Sequence, residues 1–364
     1  KNLNEKIQKQ GEEKRAEVLK RVQLLSRLHR IRPVIYRVLL NANISAEFKT
    51  DLKNELLSIT LKNFEIAKET ERIVKRLEAA NILAIPYKGI AFSKQFYGDI
   101  SMRESSDIDL VINPDQLDLI IKLMQEDGYK AYGIEGINRI KREDFIAHQK
   151  DFCFDFDKTY HVEFHWRITH PNFCLKNPLD RFKISLEPDL EMSEHLRVII
   201  LHHWIHDGFE YLKTLLDIGQ AISSKEENLN LSSIRENTLY GFEIAQRCNH
   251  ELFGLTQDNI QYNPSIEQKA KSITEYNLNS NFGRNNSNTT LTLIKQYFIS
   301  FKNQLFFKES FGEKISFLFK FWTGLLLPKH SDYSVVGIPK GLGFLYIFIR
   351  AYRLLRRVIM NTTT

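Results

Sequence analysis

Residues 105–112 read SSDIDLVI, a short apolar run that contains two aspartates separated by one residue. Such a run predicts a β-strand, and side chains alternate across a strand, so Asp107 and Asp109 point to the same side. Two neighbouring carboxylates repel each other when both are ionised, and a bound divalent cation removes that cost. Magnesium is commonly held by one or two carboxylates together with substrate phosphates. The opposite side of the strand is apolar and is predicted to face the core, through Ile108, Leu110 and Ile112.

The residues before this strand carry signals for phosphate binding. A strand-like run at 82–86 leads into Lys88-Gly89, and a short helical stretch then precedes Arg103. Gly89 lets backbone amides approach a phosphate at a helix N-terminus. Lys88 and Arg103 offer positive charge to phosphate oxygens, Arg103 with a guanidinium suited to bidentate contact.

The order of the motifs is Lys-Gly, Tyr-Gly-Asp, Arg and Asp-Ile-Asp-Leu-Val. This order resembles the nucleotidyltransferase superfamily that includes DNA polymerase beta, and within it a group of uncharacterised bacterial nucleotidyltransferase family proteins. The superfamily signature places Gly-Ser or Gly-Gly before Asp-x-Asp, whereas Ile90 follows Gly89 here and the gap from Gly89 to Asp107 is longer. The resemblance implies an α+β fold, with a small mixed sheet flanked by helices and mainly helical N- and C-terminal regions.

Nucleotidyltransferases usually carry a third acid on a neighbouring strand. The run VEFHW at 162–166 is similar to the hydrophobic-acid-x-His-Trp segment of the resembling group, which points to Glu163. Asp155 is the second candidate for this acid. His165 is suited to orient Glu163 or to bind a phosphate. The alternative is that His161 and His165 are solvated or structural histidines on an open sheet face.

Polar and apolar residues alternate in two runs, one on each side of residues 157–159. This pattern predicts a β-hairpin. A two-residue loop would pair Phe154 with Glu163 and would mix polar with apolar side chains. A three-residue loop at 157–159 pairs Phe154 with Val162 and Cys153 with Glu163, which keeps one face apolar. We therefore predict the three-residue loop. The polar face would then carry Asp151, Asp155, His161, Glu163 and His165.

The resemblance implies magnesium-dependent transfer of a nucleoside monophosphate from a nucleoside triphosphate, such as ATP, to an acceptor hydroxyl. Two magnesium ions can stabilise the attacking and leaving oxygens of such a reaction. The predicted catalytic residues, which are also the predicted metal ligands, are Asp107, Asp109 and Glu163. The predicted nucleotide-binding residues are Lys88, Gly89, Arg103, Ser106 and His165.

The chain on either side of this core is predicted to be helical. One long amphipathic helix is expected at 46–80, with a buried face that includes Ile66, Ile73, Val74 and Leu77. The predicted divisions are an N-terminal helical region at 1–80, the catalytic core at 81–185, a helical domain at 186–276, a polar linker at 277–290 and a basic aromatic tail at 291–364.

A histidine-rich helix is predicted within the 186–276 region. His202 and His206 are four residues apart and share a face, and Asp217 lies close to three turns further on. The glutamate of a His-Glu-x-x-His zinc motif is missing, which argues against a metal site on this helix. In the resembling group a similar helix packs beside the core, so His206 and Asp217 are candidates for nucleotide or acceptor contacts. A buried polar network between helices is the alternative.

The composition is that of a soluble globular protein, with 43% hydrophobic and 26% charged residues. A formal net charge of +6 is too small to indicate nucleic-acid binding. The three cysteines show no metal-binding spacing, which favours a reduced, cytoplasmic compartment. The tail interleaves phenylalanines with lysines and ends with four arginines. This pattern fits packing on the rest of the protein, peripheral contact with an anionic membrane, or binding of RNA or a partner protein.

We predict a small-molecule acceptor, such as a sugar or a natural-product intermediate. A protein AMP-transferase, which modifies a side-chain hydroxyl, is the second prediction. A third is a catalytically weak member of the group that binds nucleotide and serves as a scaffold or regulatory protein. The missing serine after Gly89 favours this third prediction, whereas the presence of Asp107, Asp109 and Glu163 opposes it.

Overall fold

The computed structural model describes most of the chain up to residue 279 and parts of the tail. The described residues are 12–138, 141–157, 159–169, 171, 181–183, 190–224, 229–238, 240–254, 263–279, 301, 305, 311–326, 328, 330–333, 335–339 and 342–360. Within them, helices surround a small mixed β-sheet, so the predicted α+β class is confirmed.

Three helices precede the sheet, namely α1 (Glu12–Leu28), α2 (Arg32–Leu40) and α3 (Ala46–Glu78). Ser45 caps α3, because its side chain accepts a hydrogen bond from the backbone amide of Phe48. The predicted long amphipathic helix is therefore confirmed. Its apolar face packs on the sheet through the buried residues Ile66, Ile73 and Leu77.

The sheet is built from β1 (Ala84–Pro86), β2 (Ile108–Ile112), β3 (Lys130–Ala131), β4 (Asp151–Phe156) and β5 (Tyr160–His165). The described strands are ordered β1-β2-β5-β4-β3. Strand β2 pairs in parallel with β5 and antiparallel with β1, while β4 pairs antiparallel with both β5 and β3. The parallel pair places Asp109 directly beside Glu163.

The hairpin of β4 and β5 has the predicted register. Phe154 pairs with Val162 and Cys153 pairs with Glu163, so the three-residue connection at 157–159 is confirmed. The backbone of Asp157 has a φ of 42°, which turns the chain between the strands. One face of the hairpin is consequently apolar and buried, through Phe152, Phe154, Val162 and Phe164.

Short helices connect the strands. They are α4 (Gly89–Phe92), which runs into a π-helical turn at Ser93–Tyr97 and a 3₁₀ turn at Ile100–Met102, then α5 (Leu117–Glu126), α6 (Ile134–Ile137) and α7 (Arg142–His148). Gly98 adopts a left-handed conformation with φ 69° and ends the π-helical turn. The chain then returns to β2 through residues 99–107.

The second face of the sheet lies beside a helical layer. Its helices are α8 (Met192–His206), α9 (Leu212–Ser223), α10 (Leu231–Glu236), α11 (Gly241–Phe253) and α12 (Pro264–Asn279). Ile85, Tyr87 and Val111 join the core of this layer, so β2 is buried on both faces beyond Asp109. Of the polar residues on the second face, Asp109 and His165 are therefore buried at the edge of this core, whereas Asp155 and His161 are partly exposed.

The tail contains α13 (Phe311–Leu326), α14 (His330–Tyr333) and α15 (Tyr346–Met360). Phe317 is buried against the rings of Phe301 and Phe321, whereas Phe319 and Phe348 are exposed. Packing thus accounts for some of the tail aromatics. Helix α12 continues to Asn279, three residues into the predicted linker, and residues 280–290 lie outside the described residues. In the chain as described, no helix combines the length and apolar character needed to cross a membrane.

Candidate active site

The Lys88-Gly89 turn is held in an unusual backbone conformation. Lys88 has φ 57° and ψ −153°, and Gly89 has φ 30°. A non-glycine residue at positive φ is strained and persists only where its surroundings fix it. The backbone amide of Lys88 donates a hydrogen bond to Nε2 of His195 at 3.0 Å, and His195 Nδ1 lies 2.6 Å from Gln95 Oε1. Helix α8 therefore fixes this turn through a neutral His195.

The pKa of His195 predicts part of the pH dependence of stability. Burial, assisted by the charges of Arg103 and Lys88, lowers this pKa to about 3 from its ordinary 6.5. Below pH 6.5 the unfolded chain binds a proton at this histidine and the folded chain does not, so lower pH favours unfolding. Between about pH 7 and pH 5.5, we expect the wild-type free energy of unfolding to fall by about 1 kcal/mol more than that of His195→Gln. Urea unfolding measures this difference, and equal pH slopes would contradict a buried neutral His195.

Three of the predicted residues meet at the parallel pair of β2 and β5. His165 is fully buried, and its Nε2 lies 3.0 Å from Asp109 Oδ1 and 3.1 Å from Glu163 Oε2. Lys88 Nζ lies 3.2 Å from the same Asp109 oxygen. The ring of Tyr87 packs edge-on against His165, with ring centroids 5.2 Å apart. His165 is thus a buried partner of two carboxylates, and the alternative of a solvated histidine is wrong.

The electrostatics keep both carboxylates ionised. Burial alone would raise the pKa of Asp109, but Lys88 and His165 outweigh burial and hold that pKa below its usual value. Burial likewise acts to raise the pKa of Glu163, and hydrogen bonds from His161 and His165 instead lower it far below the ordinary range. Two ionised oxygen donors therefore face one point beside the sheet.

This donor set fits magnesium. One donor atom each from Asp109, Glu163 and His165 lies within 4.8 Å of the others. Magnesium prefers carboxylate oxygens over imidazole nitrogen, so Asp109 and Glu163 are the fitting ligands and His165 is better suited to orient them. In the part of the chain that the structure describes, buried His165 Nδ1 has no hydrogen-bond partner, and Asp151 Oδ2 lies 3.8 Å from it.

Asp107 lies just before β2 and is not part of this three-residue group. Its carboxylate accepts a hydrogen bond of 3.2 Å from Ser106 Oγ, and Ser106 is exposed. Its backbone oxygen lies close to the Gly89 turn, because a Cβ atom built on Gly89 would be 3.7 Å from it. The structure therefore brings Asp107 to the turn but leaves its carboxylate outside the tight cluster.

Ser105 is a residue that the sequence did not single out. Its side chain is 8% exposed, and its Oγ has no hydrogen-bond partner among the described residues. A Cβ atom built on Gly89 would lie 3.5 Å from this hydroxyl. Because an unpaired buried hydroxyl is costly, Ser105 next to the turn indicates a place where a ligand supplies the missing partner.

The loop before β2 is attached to α3 by Asn63, which is fully buried. Its side-chain amide donates to the backbone oxygens of Ile100 and Arg103, both at 2.7 Å, and its Oδ1 accepts from the amide of Ser105 at 3.3 Å. The same amide group therefore positions Arg103 and Ser105 together.

Arg103 and Asp217 contact each other. Arg103 Nε donates to Asp217 Oδ2 at 2.8 Å, Tyr97 donates its hydroxyl proton to Asp217 Oδ1 at 2.9 Å, and Arg103 and Asp217 are both buried. This arrangement is the buried polar network that was the alternative for Asp217. The predicted phosphate contact of Arg103 and acceptor contact of Asp217 stay predictions.

The remaining candidate histidines lie away from this ion pair. His206 is exposed, and its ring stacks on His202 with centroids 5.4 Å apart. His161 is partly exposed and lies between two carboxylates, with Nδ1 2.8 Å from Asp155 Oδ1 and Nε2 3.2 Å from Glu163 Oε1. Asp155 is therefore a partner of His161, and Glu163 is the acid beside Asp109.

Lys213 and His195 belong to the site's surroundings and were also missed. Lys213 Nζ donates to the backbone oxygen of Glu104 at 2.8 Å, and burial followed by the charge of Arg103 lowers its pKa to about 7. His195 lies seven residues, or two helical turns, before His202 on α8. That spacing was the only sequence signal for His195, and Lys213 had none.

The comparisons with known proteins agree with this geometry. Residues 19–240 match the family described as "Uncharacterised nucleotidyltransferase". The matched segment includes α2, α3, the whole sheet and helices α8 and α9. No curated protein and no solved structure matches the chain.

Proposed function

The chain belongs to the uncharacterised nucleotidyltransferase family, and we propose that it transfers a nucleoside monophosphate from a nucleoside triphosphate to the hydroxyl of a small molecule. The observation that supports this most is the convergence of ionised Asp109 and Glu163 beside the strained Lys88-Gly89 turn. A pair of ionised carboxylates next to a glycine turn is the arrangement that a metal–triphosphate site requires.

Magnesium would be held by Asp109 and Glu163, with Asp107 as the third ligand. When bound, two such ions neutralise phosphate charge and lower the pKa of an attacking hydroxyl. His165 orients the two carboxylates, since its Nε2 lies within hydrogen-bond distance of both. Lys88 compensates the charge of Asp109 and is proposed to contact a phosphate oxygen.

Arg103 and Asp217 would act mainly by position. Their ion pair joins the loop before β2 to α9. It thereby holds the Lys88-Gly89 turn and the carboxylates in fixed positions relative to each other. Ser106 and His206 are exposed and are proposed to contact the nucleotide or the acceptor from the solvent side.

We assign to Ser105 the role that the serine after glycine has in the superfamily signature. Its buried hydroxyl is next to Gly89 in space, although it follows sixteen positions later in the chain. The replacement of that serine by Ile90 therefore does not remove the hydroxyl from the turn.

Ser105→Ala should weaken nucleotide binding by about 10- to 150-fold, because a hydrogen bond to a charged phosphate contributes about 1.5–3 kcal/mol. The same change should leave the free energy of unfolding unaltered or slightly raised, since the hydroxyl is unpaired without ligand. Calorimetric titration and urea unfolding measure the two effects. Ser58→Ala, which changes an exposed serine on α3, is the matched control, and an equal loss of affinity in it would contradict the assignment.

The proposed activity is tested by a thermal-shift titration with ATP, CTP, GTP and UTP, each with and without magnesium. A ligand that binds the folded state raises its stability, so a magnesium-dependent shift identifies the donor. That donor, radiolabelled at the α-phosphate, is then incubated with candidate acceptors. Transfer of label with release of pyrophosphate supports the proposal, and a well-folded protein that shifts with no nucleotide contradicts it.

Two other activities would use the same residues. Label on a protein hydroxyl would identify a protein AMP-transferase. A nucleotide-dependent shift without transfer to any acceptor, including protein, would favour a nucleotide-binding scaffold.

Peripheral membrane contact by the tail is a further proposal. It is supported by an exposed stripe on and just before α15, formed by Phe344, Phe348, Tyr352 and Leu355.

A further inference from the structure

A second group of side chains with metal-ligand chemistry lies on the same sheet face, two of them on β5 and one on β4. It consists of Cys153, His161 and Glu163, whose donor atoms all lie within 4.8 Å of one another. The hairpin register produces this group, because Cys153 pairs directly with Glu163 and His161 is two residues before Glu163 on the same face. None of these contacts depends on a mobile loop, since all three residues are in regular strands.

The chemistry of this group differs from that of the carboxylate pair. A thiol and an imidazole are ligands for zinc and related transition metals, whereas magnesium takes oxygen. Zinc bonds of about 2.0–2.3 Å separate tetrahedral ligand atoms by about 3–4 Å. His161 Nε2 and Glu163 Oε1 are already 3.2 Å apart.

The orientation of His161 is the second observation. Its Nδ1 faces Asp155 Oδ1 at 2.8 Å, while its Nε2 faces Glu163 Oε1 at 3.2 Å. Histidines that bind metals characteristically donate the proton of their second nitrogen to a carboxylate, which fixes the ring and makes it more basic. Asp155 therefore fills the role of the outer carboxylate in a carboxylate–histidine–metal arrangement.

We propose that Cys153, His161 and Glu163 form a site for a thiophilic divalent cation of the zinc class. The three side chains supply sulfur, nitrogen and oxygen, and the fourth position faces solvent, because the His161 and Glu163 side chains are 36% and 23% exposed. Binding of the cation releases two protons to solvent, one from the Cys153 thiol and one from His161 Nε2, which donates to Glu163 in the metal-free protein.

Glu163 is common to both groups, and this sharing has a functional consequence that rests on the proposed function. A zinc-class cation that binds Glu163 from the Cys153 side competes for the carboxylate that the magnesium site needs. Occupancy of the second site would therefore oppose nucleotidyl transfer. The binding itself does not depend on any catalytic activity.

The test uses cobalt(II) as the probe, on the full chain without nucleotide and in excess magnesium. A thiolate bound to cobalt gives a near-ultraviolet charge-transfer band, and tetrahedral cobalt gives intense visible bands. We expect these bands to saturate at one equivalent in wild type. They should be absent in Cys153→Ser and unchanged in Cys248→Ser, because Cys248 is a buried free cysteine on α11.

Two further variants examine the imidazole and its orientation. Asp155→Asn should keep the bands but weaken cobalt binding by about 10–100-fold, as loss of an outer carboxylate does. His161→Gln should lose the tetrahedral visible bands. Circular dichroism verifies that each variant is folded.

No charge-transfer band in folded wild type would overturn the proposal and leave the group as a hydrogen-bonded network only. A band that survives in Cys153→Ser would also overturn it. Either result leaves the magnesium-dependent nucleotide shift unaffected, so this failure is distinguishable from failure of the proposed activity.

Discussion

Asp109→Asn is expected to abolish the magnesium-dependent part of nucleotide binding and to slow nucleotidyl transfer by about 10³-fold or more, equivalent to about 4 kcal/mol. Asparagine keeps the size of the side chain but removes the charge that Lys88 and His165 stabilise. One of the two converging ionised oxygens is then lost, and Glu163 with the more distant Asp107 should hold the same cation far more weakly. Thermal shift with and without magnesium, and pyrophosphate release with the nucleotide that binds, measure the two effects.

The matched control is Asp115→Asn. Asp115 is an exposed aspartate just beyond the other end of β2, in the 3₁₀ turn at Pro114–Gln116. Asp115→Asn makes the same chemical change as Asp109→Asn but leaves the carboxylate cluster intact. Nucleotide binding and pyrophosphate release should therefore remain at the wild-type level. An Asp109→Asn protein that retains the magnesium-dependent shift would remove Asp109 from the metal site.

Asp217→Ala is expected to lower the free energy of unfolding by about 3–5 kcal/mol, because it leaves the buried Arg103 guanidinium without its counter-charge. Both partners are almost fully buried, and Asp217 also accepts a hydrogen bond from Tyr97. The loss should extend to nucleotide binding, since the ion pair joins α9 to the loop that precedes β2. Urea unfolding gives the stability, and calorimetric titration gives the affinity.

The control for this prediction removes both charges at once. In Arg103→Met combined with Asp217→Leu no buried charge remains unpaired, so part of the stability should return. Lys75→Ala, which breaks an exposed ion pair with Glu71, should leave the stability unchanged. If Asp217→Ala proves as harmless as Lys75→Ala, the Arg103–Asp217 pair does not position the loop.

The part of the site that could be predicted from the sequence depends on the alternation of polar and apolar side chains along the strands. In β4 and β5, one-residue shifts exchange the polar and apolar faces, so only one register satisfies both strands. That register predicts Glu163 opposite Cys153, and the structure confirms it. The family resemblance then selected Glu163 over Asp155, and the parallel pairing with Asp109 agrees with that choice.

The part that could not be predicted consists of contacts between residues far apart in the chain. His195 binds the amide of Lys88 across 107 positions, and Asp217 binds Arg103 across 114. No periodicity in the sequence predicts such contacts, because they depend on how α8 and α9 lie against the sheet. The burial of His165 is of the same kind, since an isolated hairpin would expose it.

Ser105 illustrates a limit of motif comparison. The signature looks for a serine directly after glycine, and Ile90 occupies that position. The fold nevertheless brings a buried, unpaired hydroxyl to the Gly89 turn from the loop before β2. A missing motif residue therefore weakens a functional prediction only until the neighbours in space are known.

The most direct test is anomalous diffraction from crystals grown with manganese(II) and a non-hydrolysable analogue of the nucleoside triphosphate that binds. Manganese substitutes for magnesium and can be located by its anomalous signal. We expect manganese bonded at about 2.1 Å to carboxylate oxygens of Asp109, Glu163 and Asp107, with the triphosphate against the Lys88-Gly89 turn. An ordered triphosphate elsewhere, or manganese bound away from these carboxylates, would contradict it.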